Sequence, residues 1–153
     1  MQGSEFNDYI NHFPLFKNHF KGVFAIDTLP KRLGFRKFLI CNTDLHTGEG
    51  KHWISFFQTE KTTIEVFDSL GIDHSKKELL KTHCKFNNQL IFNLTPFQDS
   101  ESSSCGLFAL YFCIERMFNL DLDFDDILEM IFVTDTKQNE KVVSEFKNEI
   151  LNN

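Results

Sequence analysis

Residues 105–119 read CGLFALYFCIERMFN, and this stretch decides the fold. Apolar side chains point in nearly every direction around a helix of this sequence, whereas a surface helix carries a single apolar stripe. A helix that is apolar all round has to be covered on all sides. We therefore expect residues 105–119 to form a buried central helix against which the rest of the protein packs.

Four segments before this helix have the composition of β-strands, because aromatic and β-branched residues are concentrated in them. They are residues 35–43, 52–59, 62–68 and 89–95. Helical patterns occupy three other segments, residues 74–83, 123–132 and 140–151. Strands followed by helices predict an α+β fold, in which a mixed or antiparallel sheet packs on the buried central helix.

A single domain is expected, because the chain has 153 residues and contains no repeat, low-complexity tract or Pro/Gly-rich linker. We take residues 1–153 as that domain. Residues 3–6 read GSEF and are similar to a vector remnant, so no function is placed in residues 1–6.

The overall composition narrows the function. With 41% hydrophobic and 25% charged residues the chain is globular, and its net charge of −6 gives no general attraction to nucleic acid. The sequence has neither an apolar run of roughly 20 residues nor a signal-peptide pattern. We expect an intracellular monomer that does not enter a membrane. A local basic stretch is interpreted as a solvated helix face: Lys76, Lys77, Lys81 and Lys85.

Neither a disulfide framework nor a metal site is expected. The cysteines form no CxxC pair, and a reducing compartment disfavours disulfides. The adjacent His83 and Cys84 offer two metal ligands, but no further ligands lie at a usual spacing. No cofactor is therefore predicted.

Two strands place a histidine opposite a carboxylate. If residues 52–59 and 62–68 form an antiparallel hairpin, paired positions sum to about 120 or 121, so His52 faces Asp68 or its neighbour. The Asp68 carboxylate would accept the Nδ1 proton of His52 and leave Nε2 free as a base. Such a pair is common in sheets, and Asp68 could equally begin an Asp-Ser-Leu-Gly turn.

One cysteine lies where a thiolate is favoured. Cys105 follows the polar run 99–104 and begins the central helix, so its sulfur should lie near the positive end of the helix dipole. Gly106 beside it permits close approach of a backbone or a substrate. Cys41 and Cys113 are interpreted as small core residues.

These residues together resemble the adenovirus protease, adenain, and the related proteases of Polinton/Maverick elements and virophages. The resemblance spans roughly residues 22–112 and rests on the order His, acid, Gln, Cys with matching local spacings. The segments that carry it are Phe20-Lys21-Gly22-Val23-Phe24, Asp27, Leu29-Pro30, Asn42-Thr43, Gly50, His52-Trp53, and Gln98 followed by six residues and Cys105-Gly106-Leu107-Phe108.

The resemblance implies an adenain-like cysteine protease fold and an endopeptidase that matures virions by cleaving capsid precursors after Gly, in the host cell and the virion. Cys105 would be the nucleophile, His52 the general base and Asp68 its orienter. Gln98 would donate to the oxyanion. Trp53 would flank the substrate channel, with Gly106 lining it.

Some features depart from adenain. Asp68 stands where adenain has Glu, and the segment before Gln98 lacks the cysteine through which adenain's activating peptide is joined. The acidic net charge gives no sign of the DNA that also activates adenain. A peptide or DNA activator is therefore unsupported by the sequence.

Two other hypotheses fit the same residues. SUMO-type or other ubiquitin-like deconjugating proteases share the His-Trp, Asp, Gln, Cys-Gly order, but place one residue fewer between Gln and Cys than the six found here. The third hypothesis is an inactive, capsid-associated binding module on the same fold. Titration of the thiol with an active-site reagent separates that module from both enzymes.

Overall fold

The sheet is antiparallel at its centre and parallel at both edges. A computed structural model describes residues 1–152. Strands β2, β3 and β4 pair antiparallel, while β1 runs parallel to β2 and β5 parallel to β4. The five strands lie side by side in chain order: β1 (Phe20–Ala25), β2 (Phe38–Asn42), β3 (Trp53–Gln58), β4 (Thr63–Phe67) and β5 (Gln89–Phe92).

Helices lie on both faces of this sheet. They are α1 (Gly3–Ile10), α2 (His74–His83), α3 (Cys105–Phe118), α4 (Phe124–Ile131) and α5 (Thr136–Leu151), with a short 3-10 helix at Pro14–His19. The prediction of an α+β fold with a mixed sheet on a buried central helix is confirmed. No helix within residues 1–152 combines the length and apolarity needed to cross a membrane.

Helix α3 packs on one face of the sheet through aromatic side chains. The ring of Phe67 on β4 stacks on Phe112 of α3, with centroids 4.7 Å apart, and on Phe132 at 5.6 Å. Each such ring buried from water contributes roughly 1.5–3 kcal/mol. This core fixes the position of α3 and therefore of its first residue, Cys105.

The opposite face of the sheet is buried as well. Leu39 and Cys41 of β2 and Phe56 of β3 point away from α3 and contact a second apolar cluster, which includes Leu80 of α2. A sheet covered on both faces requires strands that are apolar at successive positions. This explains why the strand segments read as continuous apolar runs rather than as alternating patterns.

A buried ion pair joins the central helix to the sheet. Arg116 of α3 donates from Nε and Nη2 to the two carboxylate oxygens of Glu65 on β4, at 2.9 and 2.8 Å. Its Nη1 donates to the carbonyl oxygens of Asn119 and Leu122. Both charged side chains are 2% exposed, so each depends on the other for compensation.

The elements differ from the prediction in three respects. The sheet has five strands rather than four, since Phe20–Ala25 also pairs, and helix α1 precedes the strands. Helix α5 begins at Thr136 rather than at residue 140. The side chain of Asp135, just before this start, accepts hydrogen bonds from the backbone N–H groups of Lys137 and Gln138. These capping bonds start the helix before its apolar pattern becomes visible.

Candidate active site

His52 is held at the end of a closed loop between β2 and β3. Oδ1 of Asn42 accepts hydrogen bonds from the backbone N–H groups of Asp44 and Lys51, at 2.9 and 3.0 Å. The backbone N–H of Thr43 donates to the carbonyl oxygen of His52 at 2.8 Å. The loop therefore places His52 at the end of the sheet, immediately before the central strand β3 begins.

The side chains of His52 and Asp68 meet, although the expected strand register and ring orientation were both wrong. Pairs such as Ser55 with Phe67 sum to 122 rather than 120 or 121, and the ladder ends before either residue. Nε2 of His52, not Nδ1, lies 2.7 Å from Oδ1 of Asp68. The contact is diagonal, across the end of the hairpin.

Asp68 is both the partner of His52 and the start of a turn. Its Oδ1 accepts from the backbone N–H of Leu70 at 2.8 Å, and its carbonyl oxygen accepts from Gly71 at 2.9 Å. Gly71 has φ of +81°, and a Cβ there would lie 2.4 Å from a backbone oxygen, so the turn requires glycine. The two interpretations of Asp68 are therefore compatible.

Asn93, which the sequence did not single out, clamps the backbone of Asp68. Its Nδ2 donates to the carbonyl oxygen of Asp68 at 2.7 Å, and its Oδ1 accepts from the backbone N–H of Asp68 at 2.9 Å. Asn93 follows β5, so it ties the end of β4 to the end of its neighbour.

Lys76 is a second residue that sequence reasoning missed, because it was assigned to a solvated helix face. Its Nζ lies 2.9 Å from Oδ2 of Asp68. Burial acts to raise the pKa of Asp68, but the hydrogen bond to His52 and the charges of His52 and Lys76 outweigh it and hold that pKa below its usual value. The carboxylate is therefore ionised at neutral pH.

Cys105 is the first residue of α3 and is partly buried. Burial acts to raise the pKa of its thiol, but a hydrogen bond and the charge of His52, with the backbone N–H groups of Trp53 and Gly106, lower it below the ordinary value. The positive end of the helix dipole acts in the same direction.

The His52 ring carries a proton at neutral pH. Burial acts to lower its pKa, but hydrogen bonds to Asp68 and Cys105 and the charges of both residues raise that pKa to about 9. Because Nε2 engages Asp68, the ring nitrogen that remains for the sulfur is Nδ1. A thiolate and an imidazolium can therefore coexist here as an ion pair.

Gln98 is buried in the wall of the cleft that also contains His52 and Cys105. Two hydrogen bonds orient its side chain. Its Oε1 accepts from Oγ of Ser69, and its Nε2 donates to the carbonyl oxygen of Ser102 at 2.9 Å. An amide nitrogen carries two hydrogens, so one N–H of Gln98 is left to donate to a bound molecule. This is the capacity that an oxyanion donor requires.

The loop between Gln98 and Cys105 is anchored by the start of α5. Nδ2 of Asn139 donates to the carbonyl oxygen of Phe97 at 3.0 Å, and Oε1 of Glu140 accepts from the backbone N–H of Asp99 at 3.2 Å. The C-terminal helix thus fixes the polar run that precedes the thiol.

Trp53 lines the cleft beside the N-terminal residues, whereas Gly106, predicted to contact substrate, is buried beneath Met1 and Phe6 and does not line it. Nε1 of Trp53 donates to the carbonyl oxygen of Met1 at 2.9 Å, and its ring meets Phe6 edge to face at 4.9 Å. A Cβ at Gly106 would lie 2.8 Å from the sulfur of Met1. The close approach expected at Gly106 is therefore made by Met1, within the segment in which no function had been placed.

One open cleft of about 630 Å³ contains His52, Trp53, Gln98 and Cys105 together. The other cysteines lie elsewhere: Cys41 and Cys113 are fully buried, and burial raises the pKa of Cys84 to about 12. Within residues 1–152, no cluster of three or more His, Cys, Asp or Glu side chains is arranged to hold a metal ion.

A thiol, an imidazole and a buried carboxylate in this order are the parts of a cysteine peptidase. No known family model matches the chain. Comparison with known proteins finds similarity to viral cysteine proteases. A cysteine protease of African swine fever virus (Badajoz strain) is 28% identical over 94 residues, covering 53% of this chain and 34% of the relative.

The same protein from a Namibian warthog isolate of that virus, named SUMO-1 cysteine protease, matches with the same identity and coverage. This chain thus spans about a third of the length of the curated relatives it matches. Among solved structures, the selenomethionine crystal structure of the African swine fever virus protease matches with a TM-score of 0.38 at 22% identity, covering 69% of this chain and 43% of that one.

Proposed function

We propose that this chain is a cysteine endopeptidase in which Cys105 is the nucleophile. The observation that carries the proposal is the contact series in one cleft, from the Cys105 thiol through His52 to the buried carboxylate of Asp68, 2.7 Å from the ring. The similarity to viral proteins named as cysteine proteases supports the same class.

The reaction follows from the charges of these groups. The Cys105 thiolate attacks the carbonyl carbon of the scissile peptide bond, and the negative charge moves to the carbonyl oxygen. The free N–H of Gln98 and the backbone N–H of Cys105 are the proposed donors to that oxygen. Protonated His52 then gives its Nδ1 proton to the departing amine, and the acyl group remains on sulfur.

Hydrolysis of the acyl-enzyme reuses the same residues. His52, now neutral, takes a proton from water, whose oxygen attacks the thioester carbon. Collapse of the intermediate releases the carboxylic acid and restores the thiolate beside the imidazolium. Asp68 stays ionised throughout and orients the ring.

Two substrate classes are compatible with the proposed chemistry, and both end in Gly at the cleavage site. The similarity to a viral protein named SUMO-1 cysteine protease favours a ubiquitin-like protein with a C-terminal Gly. The resemblance to adenain favours capsid precursor proteins cut after Gly, as in virion maturation. The relative's name is the more specific observation, so we place the deconjugating activity first.

The proposal is tested with the Cys105→Ala variant and the matched Cys41→Ala variant. Cys41 is fully buried in the second apolar cluster, away from the cleft. Hydrolysis of Gly-containing fluorogenic substrates should fall by a factor of about 10³ or more in Cys105→Ala. Cys41→Ala should retain turnover. A wild-type thiol that reacts with no active-site reagent, together with no turnover of any substrate, would favour the inactive binding module.

A further inference from the structure

Lys76 is a charged group of the cleft that the proposed reaction does not use. From α2, its Nζ reaches to 2.9 Å from Oδ2 of Asp68 and donates to the carbonyl oxygen of Gly71, also at 2.9 Å. The Asp68 side chain is 0% exposed, whereas that of Lys76 is 27% exposed. A cation at the rim of the cleft thus touches the buried carboxylate.

The two oxygens of Asp68 have different partners. Oδ1 accepts from Nε2 of His52 and from the backbone N–H of Leu70. Oδ2 is buried and has no aligned hydrogen-bond donor among residues 1–152, so the ammonium of Lys76 offsets its charge as an ion pair. A buried carboxylate oxygen without such compensation is costly.

We propose that Lys76 is a positioning residue, which holds the Asp68 carboxylate with Oδ1 directed at His52 and limits the pull of that carboxylate on the ring. The inference deepens the proposed peptidase and rests on it. Charges then alternate from the Cys105 thiolate through His52 and Asp68 to Lys76. Because Lys76 is a second cation beside the same carboxylate, its charge disfavours the protonated form of the nearby His52 ring.

Other charged groups near Lys76 do not replace this contact. Asp73 caps α2 and is attracted by Lys76, but its Oδ1 accepts from the backbone N–H of Lys76 at 2.9 Å and from Ser75, on the exposed side. Glu49 and Lys51 line the cleft from the loop before β3. The charged groups that act on Asp68 are His52 and Lys76.

A purely structural role has a different signature. The bond from Lys76 to Gly71 also ties α2 to the turn after β4, so loss of Lys76 would lower stability in either case. A structural tie alone would leave the titration of His52 unchanged. Lys76→Met keeps the apolar stem without the charge, and Lys76→Arg keeps the charge.

The experiment follows the His52 ring by NMR through a pH titration of the full chain. Lys76→Met should raise the apparent pKa of His52 by about one unit, because the variant removes a positive charge near the imidazolium. Its kcat on a Gly-containing fluorogenic peptide should fall about 10-fold or more through loss of orientation. Lys76→Arg should restore both values toward wild type.

Lys77→Met is the matched control, since Lys77 lies on the same helix with its Nζ over the Phe92 ring, 5.9 Å from the ring centre. That variant should leave the His52 titration unchanged. An unaltered titration in Lys76→Met, or an equal shift in Lys77→Met, would overturn the inference. Wild-type protein that cuts no substrate would defeat the proposed function, while the NMR titration would still decide the role of Lys76.

Discussion

Nε2 of His52 lies 2.7 Å from Oδ1 of Asp68, so the carboxylate holds the ring by one nitrogen and leaves Nδ1 for Cys105. The neutral ring consequently keeps its proton on Nε2 and presents Nδ1 as the base. Two further contacts fix the pair: the loop before β3 holds the backbone of His52, and Asn93 holds the backbone of Asp68. In the proposed reaction, Nδ1 therefore holds the proton beside the thiolate and gives it to the departing amine.

Replacing Asp68 by Asn tests this orientation. Asn keeps an oxygen for the backbone N–H of Leu70 but removes the charge that raises the pKa of His52. Turnover should fall by roughly 10²–10⁴-fold. In the pH profile of kcat/KM, the decline on the alkaline side should move to lower pH, because the pKa of His52 falls. Cys105 should still react with iodoacetamide. An alkaline limb that stays in place would show that Asp68 does not set the protonation of His52.

How far the sequence predicted this site depends on the kind of contact involved. The predicted pairing of residues 52–59 with 62–68 placed His52 near Asp68, although the predicted register was wrong. The two residues still meet because long polar side chains beyond the end of a strand pair can reach each other diagonally. The choice between Nδ1 and Nε2 depends on ring rotation, which no sequence pattern encodes. Lys76 was missed because a helical pattern shows that a residue is polar, not which neighbour it meets.

The fold was predicted best where the pattern is strong and local. Helix α2 has the bounds that were expected, and α3 differs from its prediction by one residue at the end. Strand β1 was missed because it lies at the edge of the sheet and is irregular between Phe20 and Gly22. Helix α1 has only eight residues and depends on tertiary packing, with Phe6 fully buried.

The pH dependence of activity follows from two groups. Below the lowered pKa of Cys105 the nucleophile is protonated, so kcat/KM should rise as the thiol ionises. The pKa of His52 is about 9, so activity should fall as pH rises through that value and the ring loses the proton needed by the leaving amine. Iodoacetamide modification should not fall on the alkaline side, since it needs only the thiolate. A parallel loss of both rates above pH 9 would instead indicate unfolding.

Replacing Gln98 by Ala tests the oxyanion role. The substitution removes the N–H that is not engaged by Ser102. It should lower kcat by roughly 10²–10³-fold with little change in KM, because the developing charge exists only in the transition state. The comparison variant is Ser69→Ala, which removes a hydrogen bond to Gln98 but keeps the donor, so its loss should be smaller. A change in KM alone would make Gln98 a substrate-binding residue.

Replacing Arg116 by Met tests the buried ion pair near the C-terminal end of α3, at the opposite end of that helix from Cys105. Glu65 would remain 2% exposed without its cation, and the free energy of unfolding should fall by about 3–5 kcal/mol in urea denaturation. The double variant Glu65→Met with Arg116→Met removes both charges and should recover part of that loss. If Arg116→Met alone were as stable as wild type, water or a rearranged group would have to compensate the charge of Glu65.

Trp53 is the residue expected to select Gly at the cleavage site in both proposed enzymes. Trp53 directly follows His52, and its indole donates to the backbone carbonyl of Met1 in the cleft. We propose that a substrate displacing Met1 offers its own backbone carbonyl to the same donor and that, as the resemblance to adenain implies, the Trp53 ring excludes a bulky side chain before the scissile bond. We therefore expect cleavage after Gly in extended segments, where backbone hydrogen bonds supply affinity.

The assay compares a Gly-containing peptide library, ubiquitin-like proteins with a fluorogenic group on the C-terminal Gly, and candidate capsid precursors. Hydrolysis of the folded ubiquitin-like substrates, with short peptides left intact, would assign the deconjugating activity, because recognition then extends beyond the cleft. Cleavage of peptides and capsid precursors without deconjugation would assign the maturation protease. For either enzyme, Trp53→Ala should allow cleavage after residues larger than Gly. If Trp53→Ala kept the same strict preference, the ring would not be the element that selects Gly.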